Sequence, residues 1–342
     1  MARKKVKSKT AEKLAKALTF ISVAIEENKE TWKQHARIVN GYLVAFNGQF
    51  AAGHPIEEPL TLCPHVPNLI AAINKSGNTL AMTETERGNL QVNGENIRAT
   101  VPCLPIADMP PIMPDPNIAV INDELKEGFK TLIPLTVEDG DAVVEYSILV
   151  RANSMVATNR TVMFEFWHGI DLPPGLAILR AGAIAVRDTK EALIGFGYTP
   201  RRSATFWFEG GAFIQCRLAG EEWPNVDKVL EAPGTPAKLP AGFFDGIEAV
   251  ASFSADGGVH FYDDKVQSAY SNYDGDGAVY GATYDVPGLI GGSSFTVSLL
   301  KLIKPVCGKL DYTTNDDKAI FVGPGEVPKV RGVIMKRVKT GN

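Results

Sequence analysis

The chain has 342 residues, 45% hydrophobic and 22% charged, with 35 Lys and Arg against 39 Asp and Glu for a formal charge of −4. Length and composition describe a globular protein of two or three domains, not a disordered or fibrous one, and no apolar stretch reaches the roughly 18 residues that span a membrane. Cys63, Cys103, Cys216 and Cys307 form no CxxC pair that would signal a zinc knuckle or disulfide framework. The small acidic excess leaves nucleic-acid binding open, because binding depends on where the basic residues lie.

In chain order, Lys9 to Glu27 reads as a helix: Leu14, Ala17, Leu18, Ile21 and Ile25 recur at helical spacing, with Lys9, Lys13 and Lys16 on another face. The basic run Arg3-Lys4-Lys5-Val6-Lys7 before it reads as a tail, with no signal-peptide cleavage site following it. Arg37 to Ala52 is expected to form two strands that turn at Asn47-Gly48. Pro64 to Lys75 places Val66, Leu69, Ile70 and Ile73 at helical spacing, with Gly77 as the stop. Strands are expected at Thr79 to Thr83, Asn89 to Val92 and Asn96 to Val101. Six prolines from Pro102 to Pro116 then continue neither a helix nor a ladder and mark a linker.

The middle third repeats this order, with a helix over Asp123 to Leu132, strands over Val143 to Thr158 and Thr161 to Trp167, and a helix over Pro173 to Val186. Strands Thr205 to Phe208 and Phe213 to Leu218 flank Glu209-Gly210-Gly211-Ala212, and Pro233 to Pro240 closes the segment. The last third begins with a helix over Phe243 to Ala251 and strands from Val259 to Tyr284. A helix over Thr296 to Val306 and strands Ala319 to Val322 and Val330 to Val338 complete it. Leu104 and Pro110 close the first segment as Leu218 and Pro224 close the second, each pair one third of the chain apart. The expectation is an α+β protein of three repeated domains, 1–114, 115–233 and 234–342, each with two helices packed on antiparallel sheets.

Several runs resemble the bacterial-type sliding clamp, the beta subunit of DNA polymerase III. Phe213-Ile214-Gln215-Cys216-Arg217-Leu218 to Pro224-Asn225-Val226 is similar to the family's strand followed by Arg-Leu-Ile-Glu-Gly-x-Phe-Pro-Asp-Tyr. Val333-Ile334-Met335-Lys336-Arg337-Val338 looks like its Val-Met-Pro-Met-Arg-Leu ending, and Phe295-Thr296-Val297-Ser298 like its Phe-Asn-Val-Ser. The chain departs from the pattern at Ala157-Thr158-Asn159-Arg160-Thr161-Val162-Met163, where many clamps have Ala-Thr-Asp-Gly-His-Arg-Leu, and Lys339 to Asn342 extend past the usual end. A divergent clamp, virus-encoded for instance, accounts for both.

The resemblance implies a cytoplasmic, enzymatically inert ring of two head-to-tail subunits, with helices lining a hole and sheets outside. Its partners would be double-stranded DNA, held without regard to sequence, a replicative DNA polymerase and a clamp loader; no cofactor or metal is implied. Sliding suits Lys and Arg at phosphate distance that read no base edges. The candidates are Lys9, Lys13, Lys16, Lys75, Lys126, Lys130, Arg180, Lys301 and Lys304, which also suit ordinary solvated helix faces. A cleft for partner peptides would by correspondence use Thr158, Met163, Leu230, Ile320, Ile334, Met335 and Arg337, several of which also read as core strand positions.

Catalytic patterns are not evident. His35, His54, His65, His168 and His260 lack HExxH spacing, and no GxSxG or GxxxxGK[ST] occurs. Asn272 to Gly277 has the opening rhythm of a calcium loop, but Thr283 stands where a bidentate Glu belongs, so it reads as a polar turn. Gly291-Gly292-Ser293-Ser294 reads as a loop ending in a helix-capping serine, and Trp167, Trp207 and Trp223 as packing residues. The alternatives to a clamp are a β-rich structural or assembly protein, for instance of a virion, and a hydrolase with a dispersed site around His65 or His168.

Overall fold

The computed structural model describes residues 9–26, 30–77, 79–254, 256–268, 271–272 and 279–337, with only the backbone of residues 9, 10, 271, 272, 279 and 280. The basic run at 3–7, Val338 and residues 273–277 of the polar turn lie outside the described residues. The chain forms two compact units, one from 1–127 and 178–220, the other from 128–177 and 221–342. Its helices are α1 (Lys9–Ile21), α2 (Val66–Lys75), α3 (Glu124–Leu132), α4 (Val143–Tyr146), α5 (Arg180–Asp188), α6 (Asp227–Leu230), α7 (Phe243–Ala251) and α8 (Val297–Ile303). With several antiparallel sheets beside them, the α+β expectation holds.

In the first unit a seven-stranded antiparallel sheet runs in the order Ala36–Val39, Tyr42–Phe46, Phe50–Pro55, Phe213–Arg217, Ser203–Phe208, Leu193–Thr199, Ala119–Val120. The periodicity of α1 is borne out as far as Ile21, since Leu14, Ala17, Leu18 and Ile21 are buried and the helix packs on Phe50–Pro55 and on α2, but the helix stops there and Ile25 is extended, not helical. The His65 ring caps α2, its Nδ1 accepting from Asn68 N–H at 3.4 Å. A second sheet joins Leu80–Glu84, Leu90–Gly94 and Arg98–Val101. Two glycines allow close packing: a Cβ on Gly53 would lie 2.2 Å from the Phe213 ring, and one on Gly182 of α5 2.5 Å from Cys216 Sγ.

The second unit holds most of an eight-stranded sheet in the order Leu176–Leu179, Ser147–Val150, Ser154–Thr158, Val162–Trp167, Val330–Met335, Lys318–Val322, Lys309–Asp311, Ala237–Lys238. A four-stranded sheet orders Thr283–Asp285, Lys265–Ser268, Gly258–Tyr262 and Ser294–Thr296. Phe243, Phe261 and Tyr312 form an aromatic core where α7 meets this sheet.

Several expectations need correction. Arg37 to Ala52 forms three strands, not two, because Asn40 (φ +52°) and Gly41 (φ +75°) make an additional tight turn. Within Pro173 to Val186 the run Leu176–Leu179 is a strand, and the helix begins only at Arg180; a continuous apolar run of four fits a buried strand as well as a helix. Val143–Tyr146 is a helical turn ahead of the strands, and Leu193–Thr199 is a strand that its interrupting Gly195 and Gly197 disguised. Neither serine of 291–294 caps α8: Ser293 Oγ donates to Tyr312 O at 2.8 Å, and Ser294 opens a strand.

Candidate functional site

The basic side chains expected on helix faces meet different fates. Lys13 and Lys16 stand exposed on α1, Lys13 in a solvent-screened pair with the exposed Glu57 and Lys16 at 3.1 Å from the largely buried Glu191. Lys126 is held inside its unit, its side chain only 12% exposed. Its Nζ donates to Glu191 O at 2.5 Å and to Asp123 at 3.0 Å and lies 5.6 Å from the Phe208 ring centre. Lys75 ends α2 exposed, Lys130 and Lys301 are exposed on α3 and α8, and Arg180 opens α5 half-buried. Lys304 caps the end of α8 and pairs with Glu248 at 2.6 Å, which lowers the Glu248 pKa mainly through that hydrogen bond.

The residues expected to form a peptide cleft all belong to the second unit, and register decides which of them meet. Cross-strand partners in an antiparallel sheet share a face. Thr158 pairs with Met163, Met163 with Val333, and Val333 with Ile320, so these four make one row across four strands. Met335, 36% exposed, follows Val333 on that face. Leu230 of α6 is buried with Leu149, Val156 and Val226, and Met163 packs against that cluster. Ile334 is not part of this row: it pairs with Val162 and Ala319 on the opposite face, fully buried. Val333, not Ile334, therefore stands beside Met163, since neighbouring residues of a strand point to opposite faces.

Beside this row the face turns polar. Glu165, its side chain 3% exposed, accepts from Ser154 Oγ (2.7 Å) and from Arg151 and Arg331 (2.8 Å each), while Arg151 reaches Asp227 at 2.6 Å. Arg331 also lies 5.0 Å from the Trp167 ring centre. These residues and Trp223 line a groove of about 730 Å³. The turn at one end of the row departs furthest from the family pattern and is built from its own residues. Asn159 Oδ1 accepts from Thr161 and Val162 N–H, the Thr158 hydroxyl donates to Val162 O at 2.7 Å, and Arg160 adopts φ +70°. Arg337 is engaged by Asp256 at 2.7 Å. Burial opposes ionisation of Asp256, but hydrogen bonds from Arg337 and Gly258 N–H outweigh it and lower its pKa.

The groups considered for catalysis are held in structural roles, although the buried His168 Nε2 has no hydrogen-bond partner. His65 Nε2 meets Gln34 Oε1 at 3.0 Å, and His168 is buried, its pKa lowered chiefly by desolvation, with Nδ1 accepting from Ile170 N–H. Burial pushes the Cys63 thiol up to about 11. Among the described residues no group of three metal-ligating side chains is assembled, and no helix is long and apolar enough to cross a membrane.

No protein-family model and no curated protein sequence matches the chain. Solved structures do. A DNA polymerase sliding clamp from Pseudomonas aeruginosa superposes with a TM-score of 0.77 at 16% identity, over 96% of this chain and 98% of that one. Caulobacter crescentus pol III beta gives 0.77 at 17% identity and a Bacillus subtilis sliding clamp 0.76 at 10%, with the same coverage. At these identities the likeness establishes a common fold, the one the three-part resemblance implied.

Proposed function

We propose that the chain is a DNA sliding clamp, a processivity factor that encircles duplex DNA and holds a replicative polymerase on it. The observation that carries this reading is end-to-end likeness: almost the whole of this chain matches almost the whole of each clamp. A β-rich assembly protein has no comparable support. In this reading the chain divides at 1–114, 115–233 and 234–342 and acts in the cytoplasm without a catalytic step, cofactor or metal of its own. Lys9, Lys13, Lys16, Lys75, Lys130, Arg180, Lys301 and Lys304 supply screened contacts to phosphates, which permit translation along the duplex. Lys126 supports the fold instead.

The ring would close from two copies through strand edges. Leu80–Glu84 and Thr283–Asp285 each border a sheet and carry mainly exposed side chains. Joining one to the other on a second copy gives a head-to-tail contact that closes after two. Short hydrophobic peptides of the polymerase and the clamp loader would dock on the face of Met163 and Val333. Met335 and Val229, 36% and 37% exposed, would supply anchoring contacts at its margin.

Retention on nicked circular duplex DNA tests the reading. The chain, loaded with a clamp loader, is expected to stay on the circle through a high-salt wash and to leave when the circle is cut. Equal loss from circular and linear DNA would refute topological linkage. Mass measurement in solution tests the closed pair, and a monomer at micromolar concentration would count against a preformed ring.

A further inference from the structure

A second groove, also of about 730 Å³, lies within the first unit, away from any residue assigned above to DNA or to the peptide cleft. One wall is the proline-rich segment Pro110–Pro116, which hydrogen bonds at Met113 and Asp115 tie to the seven-stranded sheet. The Asp115 carboxylate is buried and accepts from Thr199 and from Ser203 (3.1 Å), Thr205 (2.8 Å) and Gln215 (3.3 Å). Its carbonyl accepts from Trp207 Nε1 at 3.1 Å, and Met113 O accepts from Gln215 Nε2 at 2.8 Å. Gly195 and Gly197 let this wall lie directly on a strand, since a Cβ on Gly197 would come within 2.2 Å of Pro116 O.

Three arginines surround the groove. Arg201 and Arg202 lie on the turn between Leu193–Thr199 and Ser203–Phe208, and Arg217 ends the adjoining strand; all three are exposed. Arg217 is aimed by a 3.2 Å hydrogen bond from Nη1 to Gly48 O. Among the described lining residues the sole carboxylate is Asp115, and its oxygens are already occupied. The apolar lining includes Met113, 81% exposed.

We infer that this groove is a docking site for an acidic peptide segment of a partner protein, one that alternates carboxylates with large apolar side chains. Guanidinium groups bind carboxylates through paired, charge-assisted hydrogen bonds, and a wall fixed in advance limits the ordering cost of binding. The methionine and prolines favour a peptide over a nucleic-acid backbone, whose phosphates would leave that apolar surface unused. This site is separate from the Met163 face and does not depend on the ring being correct.

Fluorescence anisotropy on the full chain tests it, with a short labelled peptide alternating glutamate with leucine and phenylalanine. A matched peptide with lysine for glutamate and a single-stranded oligonucleotide serve as competitors. Binding of the acidic peptide is expected, weakened about tenfold or more by Arg202→Glu with Arg217→Glu. Met113→Ala, at a side chain too exposed to affect folding, is expected to weaken it as well. The thermal midpoint should stay unchanged in Met113→Ala, and the double arginine variant, which loses the Arg217 bond to Gly48 O, should still melt cooperatively. No binding, equal binding of the lysine peptide, or indifference to both variants would overturn the proposal. Displacement by the oligonucleotide at lower concentration than by unlabelled acidic peptide would overturn it in favour of a nucleic-acid site.

Discussion

Met163 and Val333 face each other across the antiparallel strands Val162–Trp167 and Val330–Met335, while Ile334, the next residue, lies on the other side of the sheet. The two positions should therefore respond differently to substitution. Met163→Glu puts a charge on the proposed peptide surface and is expected to weaken a hydrophobic clamp-binding peptide at least about tenfold in calorimetry, and, because Met163 also packs on the Leu230 cluster, to lower the melting midpoint of a chain that still folds. Ile334→Ala empties a buried site instead. It should cost about 2–5 kcal/mol in urea melts and leave peptide affinity intact wherever the chain is folded.

The lysines separate in the same manner. Lys75→Ala and Lys301→Ala remove exposed charges. If each touches one phosphate, each should reduce the slope of log affinity against log salt by about 0.9, read as equilibrium binding to a short open-ended duplex across a salt series. Lys126→Ala should leave that slope unchanged and lower stability by about 1 kcal/mol, because its ammonium serves Glu191 O and Asp123.

Gly53 has no room for a side chain beside Phe213. Gly53→Val is expected to destabilise by about 1–3 kcal/mol. Phe213→Ala alone should cost about 3–5 kcal/mol, but the double variant should be more stable than the sum predicts, since removing the ring makes space for the valine. Denaturant unfolding of the four proteins measures the coupling.

Asp311 gives a pH signature. Burial would raise its pKa, but hydrogen bonds from Thr314 Oγ1 and from the N–H groups of Thr235, Thr313 and Thr314 outweigh it and hold the carboxyl well below its usual range. A depressed folded pKa stabilises fully above the unfolded value, roughly 3.9, and that stability is lost as pH falls through the folded value. Asp311→Asn should therefore cost about 1–3 kcal/mol at pH 7, and its gap to the parent should narrow progressively in melts taken as pH falls below about 4.

The sequence carried the fold further than the site. Apolar spacing located α1 and α2 because each buries one stripe of side chains, as Leu14 and Leu69 do. It failed at Leu176–Leu179, where an uninterrupted apolar run has no period to read, and at Leu193–Thr199, where two glycines serve the linker lying on them. The site depended on register, a pairing between distant strands that no local pattern contains, and register is what sets Val333 beside Met163. Arg151, Glu165 and Arg331 were invisible because their meaning lies in their meeting. The fate of Lys126 turned on a backbone carbonyl at Glu191, for which a sequence has no symbol.

The pairing of Phe50–Pro55 with Phe213–Arg217 also constrains how the protein is made. Arg217 bonds to Gly48, 169 positions earlier, so the first unit's main sheet stays incomplete until the ribosome has delivered well over half the chain. Until then a strand carrying buried Phe50, Ala51 and Ala52 has an open edge in the nascent polypeptide. Such a long-range closure folds slowly, and chains truncated before residue 213 should be captured by chaperones or aggregate rather than fold as a shorter domain.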